Sequence, residues 1–294
     1  MKEGRASRTA NLTAATRAAE SMKPEDERVC YDPFAVEFVS GIFGVIAKSR
    51  LLNKIVSWYS ERIFPGAASH NIGRARYIDD YLRTCIDDGI EQLVILGAGY
   101  DSRAYRFDEL KGNVRVFEVD HPSTQKVKIE KVRKIFGNLP DYVIYVPVDF
   151  EKERLNERLF ASGYDQNLRT LFIWEGVTYY ITAEAVDETL YFVAKNSGKD
   201  SSIVFDYIFQ SVVDGSSEHE IAKELRKRAE REGDPFRFGI EKNSVEDFLS
   251  HRGFYRVNNV TGEFFENNYF TGKNQGRKAL GLFGYIHATV KPRE

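Results

Sequence analysis

Short apolar runs recur through the middle of the chain, each bounded by charged or turn-forming residues. Longer stretches lie between them, in which charged and apolar positions mix at helical spacing. Residues 92–96 (QLVIL), 114–119 (VRVFEV), 142–148 (YVIYVPV), 168–174 (LRTLFIW) and 202–207 (SIVFDY) are rich in β-branched and aromatic side chains and predict five strands. Residues 102–110, 123–136, 151–161 and 183–196 predict the intervening helices. Strand and helix alternating at this spacing imply right-handed crossovers and a parallel sheet. Two later runs, residues 254–260 and 279–290, predict a tight antiparallel pair at one edge.

The expected architecture is an α/β fold: a doubly wound, Rossmann-like, mostly parallel seven-stranded sheet with an antiparallel C-terminal edge. Residues 1–90 read as an N-terminal helical extension, 91–209 as a core, 210–250 as an inserted helical cover and 251–294 as the C-terminal strands, all in one domain. Both additions are expected to pack over the open end of the sheet. No repeat of 20–50 residues is visible, which argues against a solenoid or propeller.

Composition changes this picture mainly by exclusion. Lysine plus arginine number 42 and aspartate plus glutamate 44, a net charge of −2, so the molecule as a whole offers no footprint for nucleic acid or an anionic membrane. A local basic patch stays open. Cys30 and Cys85 are too few for a disulfide framework or a zinc site, and with no secretory pattern in residues 1–23 they point to the cytoplasm. The most apolar stretch, residues 34–47, contains Glu37 and falls short of the roughly 20 residues that cross a bilayer. No metal, no nucleic acid and no membrane partner are expected.

The first strand runs straight into Gly97-Ala98-Gly99, a turn at which backbone can approach a ligand closely. Open α/β sheets bind ligands at this end of their strands. Twenty-one residues after Gly99, at the end of the second strand, stands Asp120, an acid suited to a ribose diol. The dinucleotide fingerprint G-x-G-x-x-G/A fails at Ser102, and Asp101 places a carboxylate where a pyrophosphate needs a positive helix end. S-adenosylmethionine carries a sulfonium and an ammonium but no phosphate, so Asp101 favours it over NAD. A tight turn with a surface acid is the plainer alternative.

The chain resembles the leucine carboxyl methyltransferase family and its bacterial and archaeal relatives of uncertain substrate. The likeness is carried by Ser7-Arg8-Thr9-Ala10 with the segment from Thr13 to Ala18, by Asp32-Pro33-Phe34-Ala35, and by Arg74-Ala75-Arg76-Tyr77. It continues through the segment from Leu96 to Arg103, Phe117-Glu118-Val119-Asp120, Val148-Asp149-Phe150 and Trp174-Glu175-Gly176-Val177 ending in Tyr180. These span roughly residues 7–210 in the family's order; the C-terminal third is looser. The resemblance implies a class I methyltransferase that uses S-adenosylmethionine and releases S-adenosylhomocysteine. It implies Arg76 and Arg17 for the methionine carboxylate, Gly97 and Gly99 for close approach, Asp120 for the ribose, Asp149 and Phe150 for the adenine and Glu175 near the methionine portion.

Each assignment has a structural alternative. Arg76 also reads as a surface cation among Arg74, Asp79 and Asp80, Arg17 as an ordinary surface arginine, and Asp149 as an N-cap for the helix after it. Tyr179, Tyr207, His219 and Arg237 are candidate acceptor contacts, Arg237 because it stands between Phe236 and Phe238 in the insertion. His121 and His219 are the best placed of the five histidines for proton transfer, although a structural role explains each more simply.

The expected activity is O-methylation of a carboxylate or another acidic oxygen on a small molecule or protein, since such an acceptor needs no base. An NAD(P)-dependent oxidoreductase and a non-catalytic S-adenosylmethionine-binding protein are the rival readings.

Overall fold

The structure, a computed structural model, describes residues 8–149 and 153–292. Its centre is a seven-stranded sheet: β1 (Gln92–Leu96), β2 (Arg115–Asp120), β3 (Val143–Pro147), β4 (Thr170–Trp174), β5 (Ser202–Ile208), β6 (Phe254–Thr261) and β7 (Phe283–Val290). The strand order is β3-β2-β1-β4-β5-β7-β6. The first five strands pair in parallel, and β7 runs antiparallel between β5 and β6. β1, β4 and β5 are buried on both faces, which explains why they read as unbroken apolar runs rather than alternating ones. The last two strands are not the tight pair expected, because residues 262–282 separate them in the chain and carry a helix of their own.

Among the described residues five helices precede the sheet: α1 (Arg8–Ser21), α2 (Ala35–Phe38), α3 (Gly41–Lys48), α4 (Arg50–Ile63) and α5 (Ala67–Asp87). Within the core follow α6 (Arg103–Arg106), α7 (Pro122–Phe136), α8 (Leu155–Ala161) and α9 (Ala183–Lys195). The insertion holds α10 (Gln210–Val213), α11 (Glu220–Glu232) and α12 (Val245–Ser250), and α13 (Gly262–Asn268) lies between β6 and β7. The helix expected from residue 151 begins at Leu155, with Arg154 at its N-cap, so Asp149 does not cap it. Phe150 lies outside the described residues.

α5 determines what reaches the carboxyl end of the sheet. Its buried side includes His70, Gly73, Arg74, Tyr77, Ile78 and Cys85. Gly73 meets the buried ring of Phe265 on α13, where an added Cβ would fall 2.2 Å from the ring. Replacing glycine by alanine inside a helix ordinarily gains about 0.5–1 kcal/mol. Overpacking a buried ring costs roughly 1–3 kcal/mol, so the clash wins. We expect Gly73→Ala to lower stability by about 1–2 kcal/mol, read as a lower urea midpoint at unchanged m-value. An unchanged or higher midpoint would mean that α5 and α13 separate freely.

Candidate active site

β1 ends in Leu96, and the chain turns through Gly97 (φ +67°) and Gly99 (φ +41°), backbone conformations that a side chain disfavours. A Cβ on Gly97 would also fall 2.4 Å from Val177 Cγ2, so the turn and the loop after β4 lie back to back. Ala98 N–H donates to Val119 O at 2.9 Å, and Gly99 N–H donates to Asp120 Oδ2 at 2.5 Å. Asp120 Oδ1 accepts from His121 N–H at 2.6 Å, so the acid at the end of β2 is locked against the turn. Burial raises the Asp120 pKa, with the Gly99 and His121 N–H groups pulling the other way.

Beside the turn lies a buried ion network. Arg74 donates from Nε to Glu175 Oε1 at 2.9 Å and from Nη1 to Asp206 Oδ2 at 2.6 Å. Arg103 donates from Nη1 to Glu175 Oε2 at 2.7 Å and to Asp101 Oδ2 at 2.5 Å, and from Nε to Asp79 Oδ1 at 2.7 Å. Arg106 Nη2 reaches the same Asp79 oxygen at 2.6 Å. Three guanidiniums and four carboxylates are thus linked, which leaves one excess negative charge when all are ionised. Burial opposes the charge on Glu175, but Arg103 and then Arg74 outweigh it and hold this carboxyl well below the usual carboxylate range. For Asp206 burial wins and its pKa rises, Arg74 notwithstanding.

The sequence-predicted residues fall into two groups. Gly97, Gly99, Asp120 and Glu175 converge at the turn, and Arg17 joins them by donating to Asp32 Oδ2 at 2.9 Å and to Tyr100 O at 2.6 Å. Tyr179 also belongs here, its hydroxyl 3.4 Å from both Arg74 Nη1 and Asp206 Oδ2. Asp149 is half-buried just beyond the end of β3, where its N–H donates to Glu153 Oε2 at 3.0 Å.

Arg76 lies elsewhere. It sits 200° around α5 from Arg74 at 100° per residue, pairs with Asp80 at 2.8 Å and leaves 45% of its side chain exposed. Tyr207 points to the opposite face of β5 from its neighbour Asp206 and donates to Asn259 Oδ1 at 3.3 Å. His219 is exposed at the start of α11. The exposed Arg237 meets the site through its backbone, its N–H donating to Tyr179 O at 2.9 Å, while Phe236 packs on Tyr179 and Tyr180.

The sequence reading passes over Arg74, Arg103 and Asp206, although Arg74 and Asp206 each carry a signal. Arg74 shares the helix face of His70 and Ile78, whereas Arg76 falls with Asp80 and Arg83. Asp206 is the lone acid in an apolar strand, and such an acid needs a buried partner.

Residues 10–194 match the family model described as leucine carboxyl methyltransferase. The chain belongs to this family. Among its relatives is a Bacillus subtilis protein named "Putative S-adenosyl-L-methionine-dependent methyltransferase YktD", 29% identical over 81% of this chain and 77% of the relative. A Mycobacterium avium protein, also named "Putative S-adenosyl-L-methionine-dependent methyltransferase", is 29% identical over 84% and 82%. Among solved structures, a "putative methyltransferase" from Thermobifida fusca superposes with a TM-score of 0.61 at 12% identity over 97% of this chain and 98% of that one, a likeness of fold.

The two arginines of the Arg74-Ala75-Arg76 motif should therefore behave differently. Arg76→Ala removes an exposed pair and should cost at most about 1 kcal/mol. Arg74→Ala strands the buried Asp206 and leaves Glu175 with Arg103 alone, and should cost about 3–5 kcal/mol. Urea denaturation of the two variants checks this, and equal losses would contradict the assignment of Arg74 to the buried network.

Proposed function

We propose that this member of the leucine carboxyl methyltransferase family methylates an oxygen that is already anionic at neutral pH, a carboxylate or comparably acidic oxygen on a small molecule or protein. Family membership makes the chain an S-adenosylmethionine-dependent methyltransferase; the acceptor is what the proposal adds. The observation that carries it is that the titratable side chains around the turn are already committed. Glu175, Asp206 and Asp101 hold guanidiniums, and burial places the Tyr179 hydroxyl well above its ordinary pKa. His121 Nδ1 is engaged by Ser123, whose N–H lies 3.3 Å and whose hydroxyl lies 2.8 Å from it. An acceptor that needs no proton removed suits such a site.

The residues present fit the methyl donor. The positive-φ glycine turn at the carboxyl end of β1 is where backbone can approach a ligand closely, and Asp120 supplies ribose acceptors at the end of β2. The single excess negative charge of the network matches the single net positive charge of an ionised S-adenosylmethionine. In this reading Arg17 and Arg74, rather than the outlying Arg76, take the methionine carboxylate, and Asp149 takes the adenine. Bound there, the donor supplies a methyl group whose bond to sulfur breaks as an acceptor oxygen forms the new C–O bond, leaving S-adenosylhomocysteine. The protein's part is to align the two, offset charge and exclude water. Phe236 with Tyr179 and Tyr180 forms the apolar side of the acceptor cover, and Arg237 stands at its rim.

The geometry speaks against a dinucleotide. Asp101 Oδ1 accepts the Arg103 N–H at 2.7 Å, taking a donor that a phosphate would use, and α6 is a single turn.

Two outcomes are expected. Asp120→Ala should weaken S-adenosylhomocysteine binding roughly ten- to a hundredfold in calorimetry, through loss of charge-assisted hydrogen bonds; unchanged affinity would move the ribose contact elsewhere. With methyl-labelled donor and cell extract, the labelled product should release volatile methanol in mild alkali, as methyl esters do. Its rate of formation should be flat from about pH 6 to 8, because carboxylates are ionised throughout. Alkali-stable label, or a rate climbing steadily with pH, would indicate a phenol-like acceptor instead.

A further inference from the structure

The α3–α4 hairpin carries its apolar face outward. Ile42, Val45, Leu51, Leu52, Ile55, Val56, Trp58, Tyr59 and Ile63 are each between 41% and 69% exposed. On α4 the apolar positions fill an arc of roughly 160° at 100° per residue, yet the one buried residue of this helix is Asn53, on the opposite side. The hairpin is held to the body from the other face, by Gly44 and Ala47 of α3, with Ala47 packing near Ala18 and Ala35. An apolar patch of this extent on a protein surface marks a contact site.

Charge indicates what the contact is. Residues 41–63 contain Lys48, Arg50, Lys54 and Arg62 against Glu61, whose carboxylate accepts the Gly66 N–H at 2.8 Å, and outside this stretch Glu37 lies 3.8 Å from Lys48. At the base of the hairpin Lys131 donates to Ser40 Oγ at 2.6 Å, and it lies close enough to Lys134 and Lys48 for their charges to act on it. The Arg62 guanidinium lies over the Trp58 ring, 5.2 Å from its centroid. The hairpin thus carries a net positive charge in a molecule of net charge −2.

We propose that the α3–α4 hairpin is an interfacial anchor that lays its apolar face into the surface of a bilayer containing anionic lipid. A short helix with tryptophan, tyrosine and branched aliphatics on one side and lysine and arginine beside them suits the headgroup boundary. A second copy suits it less, because a two-fold contact sets the patch against itself and brings four cations against four with a single engaged acid on each side. Among the described residues no helix is long and apolar enough to cross a membrane, so the hairpin lies on the surface. It packs on α1, whose Ala10 would lie 3.2 Å from a Cβ on Gly99, which places the anchor beside the methyl-donor turn.

The test uses the full chain with vesicles of phosphatidylcholine alone or mixed with phosphatidylglycerol. We expect cosedimentation with the mixed vesicles, weakened by salt, and a blue shift of emission from Trp58, since the other tryptophan, Trp174, is already buried. Ile55→Glu and Lys54→Glu, both at exposed positions, should each lower binding by roughly tenfold or more at unchanged urea midpoint. The anchor is refuted if the chain stays in the supernatant with both vesicle types, or if both variants bind like wild type. A dimer in sedimentation that Ile55→Glu dissociates, with no vesicle binding, would assign the patch to a second copy.

Discussion

Three guanidiniums buried at the carboxyl end of a parallel sheet are the constraint around which the other parts of this protein are arranged. Each charge withdrawn from water costs several kcal/mol unless a partner of opposite sign meets it with good geometry. Here the partners come from separate stretches of chain: Asp79 from α5, Asp101 from the turn after β1, Glu175 from the end of β4 and Asp206 from β5. No one of these elements can shift without stranding a charge. The network therefore holds α5 to the sheet beside the glycine turn.

Under the turn a second buried pair does similar work. Lys128 reaches from α7 to Glu118 Oε1 at 2.9 Å and donates to Ala98 O at 3.2 Å, so the middle residue of Gly97-Ala98-Gly99 is tied to a helix as well as to β2. Burial pushes the Glu118 carboxyl up to about 6, with Lys128 opposing it. Asp120, two residues on and on the same face of β2, is left to hold Gly99 and His121. The glycine turn is thereby tied to both β2 and α7. On the other side of the network the insertion closes over the loop after β4, where Phe236 packs against Tyr179 and Tyr180. The match to the family model ends at residue 194, before β5 and the insertion that follows it.

The strands were legible in the sequence because a strand buried on both faces has to be apolar throughout, and β1, β4 and β5 are. The turn was legible because a positive φ and close backbone approach call for glycine, and Asp120 because the strand order places the end of β2 beside it. These are local demands, which a short stretch of residues states in full.

Which charged side chains are buried was not a local matter. Arg74 and Arg76 have the same chemistry and lie two residues apart, and only the packing of α5 on the sheet decides that one meets Glu175 and Asp206 while the other meets Asp80. Asp206 and Tyr207 are divided in the same way by the two faces of β5. The outward face of α4 is a further case, since its apolar arc by itself predicts burial against the core, whereas the tertiary structure turns it to solvent. Periodicity tells which residues share a face; where that face points depends on contacts made with residues far away in the chain.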